Sequence, residues 1–452
     1  MDGNGLFAAG RGLTAALLDM GVKSLRYPGG NKSDTYLWSV PPWDKPRPAL
    51  ARIGAKEWPS NSRELMLEDG ATFRNAPLDF DQFMEICRRT GAEPMICLAY
   101  DSMHQPPTDG SRVPTHDELL ETAVEWVRYA NIRKGYGIRY WALGNESYLW
   151  GGARALDYAK DMAVFSRAMK EIDPDILLGA NGPGRTDNVG KVDEDAGGKD
   201  PWWKVVLETS AQAVDFMDIH TYPCWRWRGY EPYMASEPDF LEDVNAGLEA
   251  VSRWAPSTAE RMRVLVTEAN SADWTATQED RKGWPHLNNL GHALVLFEML
   301  GAHLLHPRVD MLCVWNTRWT SNRKSKPKEL WDALDENNEL NPTGHALAAW
   351  GQNLEDLMVI AKGTVTVRSF ASASADGKRL SLFVLNKAKT RVQAEIEIKN
   401  FAGVGGLHRA YTGKDPDDPK PAWIEPSVTG LAGSNLHIAL EPLSINVITL
   451  KT

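Results

Sequence analysis

The feature that most constrains this chain is a long alternation. From residue 12 to about residue 350, short apolar runs alternate with amphipathic runs of helical period. The apolar runs are Ser24–Tyr27, Pro94–Ala99, Ile138–Leu143, Ile176–Ala180, Val214–His220, Arg263–Glu268 and Asp310–Trp315. Helical patterns lie between them, over Phe80–Arg89, His116–Ile132, Leu156–Glu171, Trp203–Thr209, Phe240–Trp254 and Asn288–Leu304. Strands that alternate with helices form βα units, and their crossovers make a parallel sheet. Seven such strands predict a (β/α)8 TIM barrel with one strand missing. The missing strand is the first, because only a Gly-rich stretch precedes the helix expected at Leu13–Met20. The chain is expected either to begin inside its own barrel or to have a truncated or misassigned N-terminus.

The pattern changes after about Leu354. Short alternating runs at Thr364–Phe370, Leu380–Leu385, Gln393–Ile398, Leu436–Leu440 and Ile445–Leu450 are separated by Gly, Pro, Asn and Asp. They predict an antiparallel β-sandwich. The expected domains are a catalytic barrel over residues 1–354 and the sandwich over 355–452. Gly403–Gly406 reads as a turn of that sandwich, since no helix follows it as a phosphate loop requires.

Composition removes several classes of function. With 43% apolar and 24% charged residues the chain is an ordinary globular one. Sixty acidic against fifty basic residues give a net charge of −10, a poor balance for gripping a phosphate backbone. No run of 18 apolar residues suggests a membrane span. The four cysteines, Cys87, Cys97, Cys224 and Cys313, form neither a zinc spacing nor a disulfide framework. His303 and His306 lack a nearby carboxylate and read as packing or capping residues. No metal, cofactor, nucleic acid or membrane is expected. The basic tract at residues 323–328 reads as solvated surface. No signal peptide is visible at this N-terminus, so the sequence leaves cytoplasmic and secreted locations both open, and oligomeric state as well.

In an α/β barrel the functional side chains sit just past the C-terminal ends of the strands. At those positions stand Arg26 to Asn31, Asn145 and Glu146, His220 and Tyr222, Glu268 with Asn270, and Trp315 with Asn316. One Glu at a strand end is ordinarily a solvated loop carboxylate. Two of them, each beside an Asn, with Arg, His and Tyr at other strand ends, make a different case. Glu146 and Glu268 fall on barrel strands four and seven and face each other across the mouth. Glycoside hydrolysis uses such a pair: one carboxylic acid donates to the leaving oxygen, and one carboxylate attacks the anomeric carbon or activates water.

The segment Arg26-Tyr27-Pro28-Gly29-Gly30-Asn31, followed by Tyr36 and Trp38, resembles the RYPGGN motif of glycoside hydrolase family 51, chiefly α-L-arabinofuranosidases of the retaining clan A barrels. Trp141-Ala142-Leu143-Gly144-Asn145-Glu146 is similar to that family's acid/base segment. Val266-Thr267-Glu268-Ala269-Asn270 is similar to its nucleophile segment, and Ile219-His220-Thr221-Tyr222 to its His-x-Tyr strand end. Pro442–Val447 resembles the last strand of its C-terminal sandwich. The resemblance implies Glu146 as general acid/base and Glu268 as nucleophile. It implies Arg26 and Tyr222 as supports of that nucleophile, and Asn145 as a contact to the hydroxyl beside the anomeric carbon.

Asn31, Trp38, Asn145, His220, Trp274 and Trp315 complete the expected substrate-binding set. The chain departs from the family where Leu98-Ala99-Tyr100-Asp101 stands in place of an Asn and where Trp315-Asn316 ends the last strand. Eighteen Trp, many in loop-like sequence, suggest stacking platforms on sugars. Trp38, Trp150, Trp225, Trp227 and Trp274 are expected on the walls of a cleft. The expected function is a retaining glycoside hydrolase of plant cell-wall polysaccharide or its oligosaccharides, α-L-arabinofuranosidase-like. The alternatives are an endo-β-1,4-glucanase or xylanase with a Trp-lined cleft, and a non-catalytic carbohydrate-binding protein on a degenerate barrel.

Overall fold

The computed structural model describes residues 12–51, 78–105, 107, 110–149, 152–184, 200–222, 229–271, 288–318, 331–335 and 337–452. Seven parallel strands form one sheet in chain order: β1 (Ser24–Tyr27), β2 (Glu93–Leu98), β3 (Tyr140–Leu143), β4 (Leu177–Gly182), β5 (Phe216–Thr221), β6 (Arg263–Ala269) and β7 (Val309–Val314). The helices outside them are α1 (Leu13–Met20), α2 (Phe80–Thr90), α3 (His116–Val127), α4 (Ala155–Ile172), α5 (Trp202–Ser210), α6 (Glu242–Trp254), α7 (Leu290–Leu305) and α8 (Pro342–Gly351). Capping boxes start two of them, Asp79 with Gln82 at α2 and Thr115 with Glu118 at α3.

The sheet curls until its two edges approach each other, with Ser24 Oγ on β1 lying 3.7 Å from Cys313 Sγ on β7. Among the described residues Ser24–Tyr27 is the first barrel strand, next to β2. Residues 1–11, where a further strand was sought, lie outside the described residues.

The strand period of two sorts the side chains. Leu25, Ile96, Trp141 and Ile219 face the helices in the large core, while Met95, Ala142, Phe216, Leu265 and Met311 fill the floor of the barrel. The Phe216 ring occupies the volume a Cβ at Gly179 would need, 2.0 Å away. Above this floor the inward positions turn polar: Arg26, Asp218, Thr267, His220 and Glu268, all buried.

From Leu357 to Lys451 the strands are antiparallel. They are β8 (Leu357–Val359), β9 (Val367–Ala373), β10 (Arg379–Asn386), β11 (Val392–Glu397), β12 (Gly405–Thr412), β13 (Ala422–Trp423), β14 (Ser427–Ala432), β15 (Asn435–Leu440) and β16 (Ser444–Lys451). They pair in the order β8-β9-β10-β16-β12-β14-β15-β11, with β13 on β12. The turn expected at Gly403–Gly406 is corrected: Gly405 and Gly406 open strand β12. A Cβ at Gly406 would lie 1.7 Å from the Thr449 carbonyl of neighbouring β16, so the glycine serves close strand approach.

Strand β10 shows how the sandwich meets the barrel. Leu380, Leu382 and Val384 face the sandwich core, while Phe383 and Leu385 face the barrel's helices. Trp350 of α8 stacks on Phe383 with centroids 3.9 Å apart, and its Nε1 donates to the Phe297 carbonyl of α7 at 3.0 Å. Beside this contact the buried Glu298 of α7 meets Lys387 at 3.3 Å, Arg368 at 2.9 Å and the Tyr233 hydroxyl at 2.6 Å.

Truncating Trp350 to Ala removes the central aromatic of this junction. The expected loss of stability is about 4 kcal/mol, typical of a large buried aromatic, read from urea unfolding. A loss under about 1 kcal/mol, the scale of a surface substitution, would show that the junction does not carry the packing described.

Candidate active site

Two features of backbone geometry build the site. The first is a bulge in β6. Pairing with β5 runs in step from Phe216–Arg263 to Ile219–Val266, then skips Thr267, so that His220 lies opposite Glu268. A strict alternation from Leu265 would turn Glu268 outward. The extra residue re-aims it into the barrel beside His220, and Thr267 donates its hydroxyl to Asp218 below.

The second feature is the turn after β3. Gly144 has φ +74°, and a Cβ there would lie 2.4 Å from Ser147 Oγ and 2.7 Å from Asp101 Oδ2. Glu146 itself has φ +49°, a left-handed conformation rare for residues with a Cβ. The neighbours over-determine this turn. Asp101 Oδ2 accepts from Asn145 N at 3.1 Å and from Ser147 Oγ at 2.9 Å, and Asn181 Oδ1 accepts from Ser147 N at 2.9 Å.

The side chains converge from five strand ends. Arg26 donates from Nη1 to Glu268 Oε2 at 3.2 Å and from Nη2 to Asn145 Oδ1 at 2.8 Å. Tyr222 donates its hydroxyl to the other oxygen, Glu268 Oε1, at 2.5 Å. Burial, and then the Glu268 charge, raise the Tyr222 phenol well above its ordinary pKa, so it stays a donor. His220 Nδ1 lies 2.9 Å from Glu146 Oε1 and 3.9 Å from Glu268 Oε2. Asn145 Nδ2 donates to Asn31 Oδ1 at 2.9 Å, and Asn31 is exposed at the rim. Half-buried Trp315 closes one side: an added Cβ at Gly30 would lie 3.7 Å from its Nε1 and 3.8 Å from Glu268 Oε2.

One atom each of Glu146, His220 and Glu268 lie within 4.8 Å of one another. The two carboxylates therefore approach as in double-displacement glycosidases, about 5–5.5 Å, and lie closer than the 6.5–9.5 Å of inverting ones. A divalent cation could bridge this spacing. The Arg26 guanidinium and Tyr222 hydroxyl already occupy both oxygens of Glu268, so its charge is met without an ion.

Of the expected site residues, Glu146, Glu268, Arg26, Tyr222, Asn31, Asn145, His220 and Trp315 come together in this geometry. Trp38 is corrected. It is fully buried, stacked on Trp126 at 5.7 Å, with its Nε1 donating to the Thr122 carbonyl at 3.1 Å. An aromatic cluster with Phe80 and Tyr129 outside the barrel holds it there, where no sugar reaches. Trp274, Trp150, Trp225 and Trp227 lie outside the described residues, as does the tract 323–328. His303 is buried, with Nδ1 on the Met299 carbonyl.

Sequence reasoning missed Asp34, Asp218, Asn181 and the role of Asp101. Only Asp218 left a signal, two residues before His220 on the same inward face.

Burial alone would lower the His220 pKa. The charge of Glu268 and the hydrogen bond and charge of Glu146 outweigh it and raise the imidazole to about 9. The folded value lies above the ordinary one near 6.5. The stability that His220 contributes is therefore complete below about pH 6.5 and is lost as pH rises through about 9. Ring NMR should show His220 titrating near 9. A midpoint at or below 6.5 would contradict the placement of the imidazole between two carboxylates.

Known proteins similar to this chain share its fold. Residues 16–234 match the family described as Alpha-L-arabinofuranosidase 1 domain. Alpha-L-arabinofuranosidase C of Emericella nidulans is 26% identical over 333 residues, covering 66% of this chain and 58% of that protein. The Intracellular exo-alpha-(1->5)-L-arabinofuranosidase of Streptomyces lividans is 27% identical over 336 residues, 66% of this chain and 44% of its own length. The chain thus spans about half the length of these curated relatives. The alpha-L-arabinofuranosidase of Thermotoga maritima, solved with arabinose, superposes with a TM-score of 0.70 at 18% identity, covering 97% of this chain and 89% of that one. The chain is thus similar to α-L-arabinofuranosidases in sequence, over residues 16–234 of their family match, and shares their fold.

Proposed function

We propose that this protein is a retaining glycoside hydrolase acting on plant cell-wall polysaccharide or its oligosaccharides, with α-L-arabinofuranosides as its substrate class. The observation that carries this reading is the difference between two neighbouring carboxylates. Both Glu268 oxygens are engaged, by Arg26 and by Tyr222, which fixes the carboxyl group in the orientation a nucleophile needs. Glu146 instead meets the His220 imidazole, a titratable group with which it can exchange the proton it delivers.

In the first step Glu268 attacks the anomeric carbon while Glu146 gives its proton to the glycosidic oxygen. The carbon–oxygen bond breaks and its electron pair leaves with that oxygen. In the second step Glu146 takes a proton from water, and the water oxygen displaces Glu268. The buried Asn145 amide, oriented by Arg26 and Asn31, would bind the hydroxyl beside the reacting carbon. The arabinofuranoside assignment draws support from the family match and from the names of the two relatives. The burial of Trp38 takes one platform from the cleft on which an endo-acting alternative rested.

A panel of aryl glycosides with arabinan, xylan and β-glucan tests the substrate class. NMR of the first-formed sugar tests the mechanism, and retained configuration is expected. Glu146→Ala should lower turnover of a poor-leaving-group substrate about 100- to 10,000-fold, as loss of general acid catalysis does. Inverted product, or no turnover of any panel member, would overturn the reading.

A further inference from the structure

Two buried carboxyl groups stand behind the site and take no part in the chemistry above. Asp34 lies in the turn after β1, at residues 30–35, and Asp101 follows β2. Asp101 is fully buried and Asp34 nearly so, and burial, then the neighbouring Asp101, raise the Asp34 carboxyl above the usual carboxylate range. A hydrogen held between the two carboxyl groups would spare this buried space a second bare charge. Oδ1 of each is shielded from solvent and has no hydrogen-bond partner among the described residues. The second oxygen of Asp101 is the one that holds Asn145 N and Ser147 Oγ, the two residues flanking Glu146.

We propose that Asp101, sharing one proton with Asp34, is the positioning residue that aims Glu146 at the glycosidic oxygen. Glu146 occupies a left-handed backbone conformation that costs free energy unless its surroundings hold it. One oxygen of Asp101 grips the chain on both sides of that residue. The shared proton, in turn, keeps Asp101 from facing a second bare charge in a buried space.

The groups that face the pair are Arg26 from β1, Cys97 from β2, Tyr100 from the segment after it, Glu146 from the turn after β3 and Tyr158 from α4. Among them Arg26 alone is a cation, and it already serves Glu268 and Asn145. Burial raises Asp101 to about 6 against the hydrogen bonds from Asn145 and Ser147, and burial together with Asp101 raises Asp34 well above the usual carboxylate range. One proton on the pair at neutral pH accords with both directions.

The inference rests on Glu146 being the general acid, so the test separates the two. Turnover is measured on two aryl glycosides of the sugar the protein cleaves, one with phenol and one with 2,4-dinitrophenol as leaving group. A dinitrophenolate needs no proton in order to leave; a phenolate does. Glu146→Ala should lose far more on the phenyl substrate, and equal losses would overturn the acid reading and this inference with it.

Asp101→Ala should show the same selectivity, losing at least 10-fold more on the phenyl substrate. Asp101→Asn should stay within about 3-fold of the parent on both, because its amide oxygen can accept the same two bonds and its NH2 supplies the hydrogen to Asp34. Ser147→Ala removes one of the two tethers and covers the case in which Asp101→Ala fails to fold. It should show the selectivity in smaller degree. Equal losses on both substrates for Asp101→Ala or Ser147→Ala, with Glu146→Ala selective, would overturn the positioning role and leave the acid reading standing.

Discussion

A guanidinium buried at the top of a barrel must be answered by negative charge and by acceptors, and the rest of this site is arranged around that need. Arg26 rises from β1 and is met by Glu268 from β6 and by the side-chain oxygen of Asn145 from the end of β3. These partners stand 242 and 119 residues away in sequence. The pairings hold only if the sheet closes and the bulge in β6 brings Glu268 inward. Replacing the cation would leave the buried Glu268 with Tyr222 on one oxygen and His220 at 3.9 Å from the other, a weaker answer to its charge. The closure of the barrel and the placement of Glu268 therefore meet in one contact.

Polarity is layered in the same way. The floor of Met95, Ala142, Phe216, Leu265 and Met311 excludes water from below. Charge begins one step higher along the same strands. His220 is the second cation of the interior, held between Glu146 and Glu268. Among the described residues Glu268 is met by Arg26, Tyr222 and His220, and Glu146 by His220, an asymmetry that suits different roles for two like residues.

Much of this was legible in the sequence because it follows from periodicity. Seven apolar runs with helices between them marked the barrel strands to within a residue or two at most ends, and the strand ends named the residues that meet. What stayed hidden depends on contacts between distant segments. The bulge at Thr267 leaves no pattern in its own strand. Asp34 and Asp101 read as two loop acids, and only the fold shows that one oxygen of Asp101 holds both neighbours of Glu146. Trp38 misled because an aromatic in a loop after a strand suits a sugar platform and an outer core equally. Its stacking on Trp126, a helix residue 88 positions later, decides for the core. Strand β12 was hidden by its opening glycines, which signal a turn in isolation and close strand packing in context.

The central claim is that Glu268 attacks carbon while Glu146 handles protons. The most direct measurement is mass spectrometry of Glu146→Ala mixed with a dinitrophenyl glycoside of the cleaved sugar. Its leaving group departs unaided, and the variant lacks the base that activates water for the second step. The account predicts that protein carrying one sugar residue accumulates, with the modified peptide mapping to Glu268. Unmodified protein during turnover, or a sugar on any other residue, would contradict it.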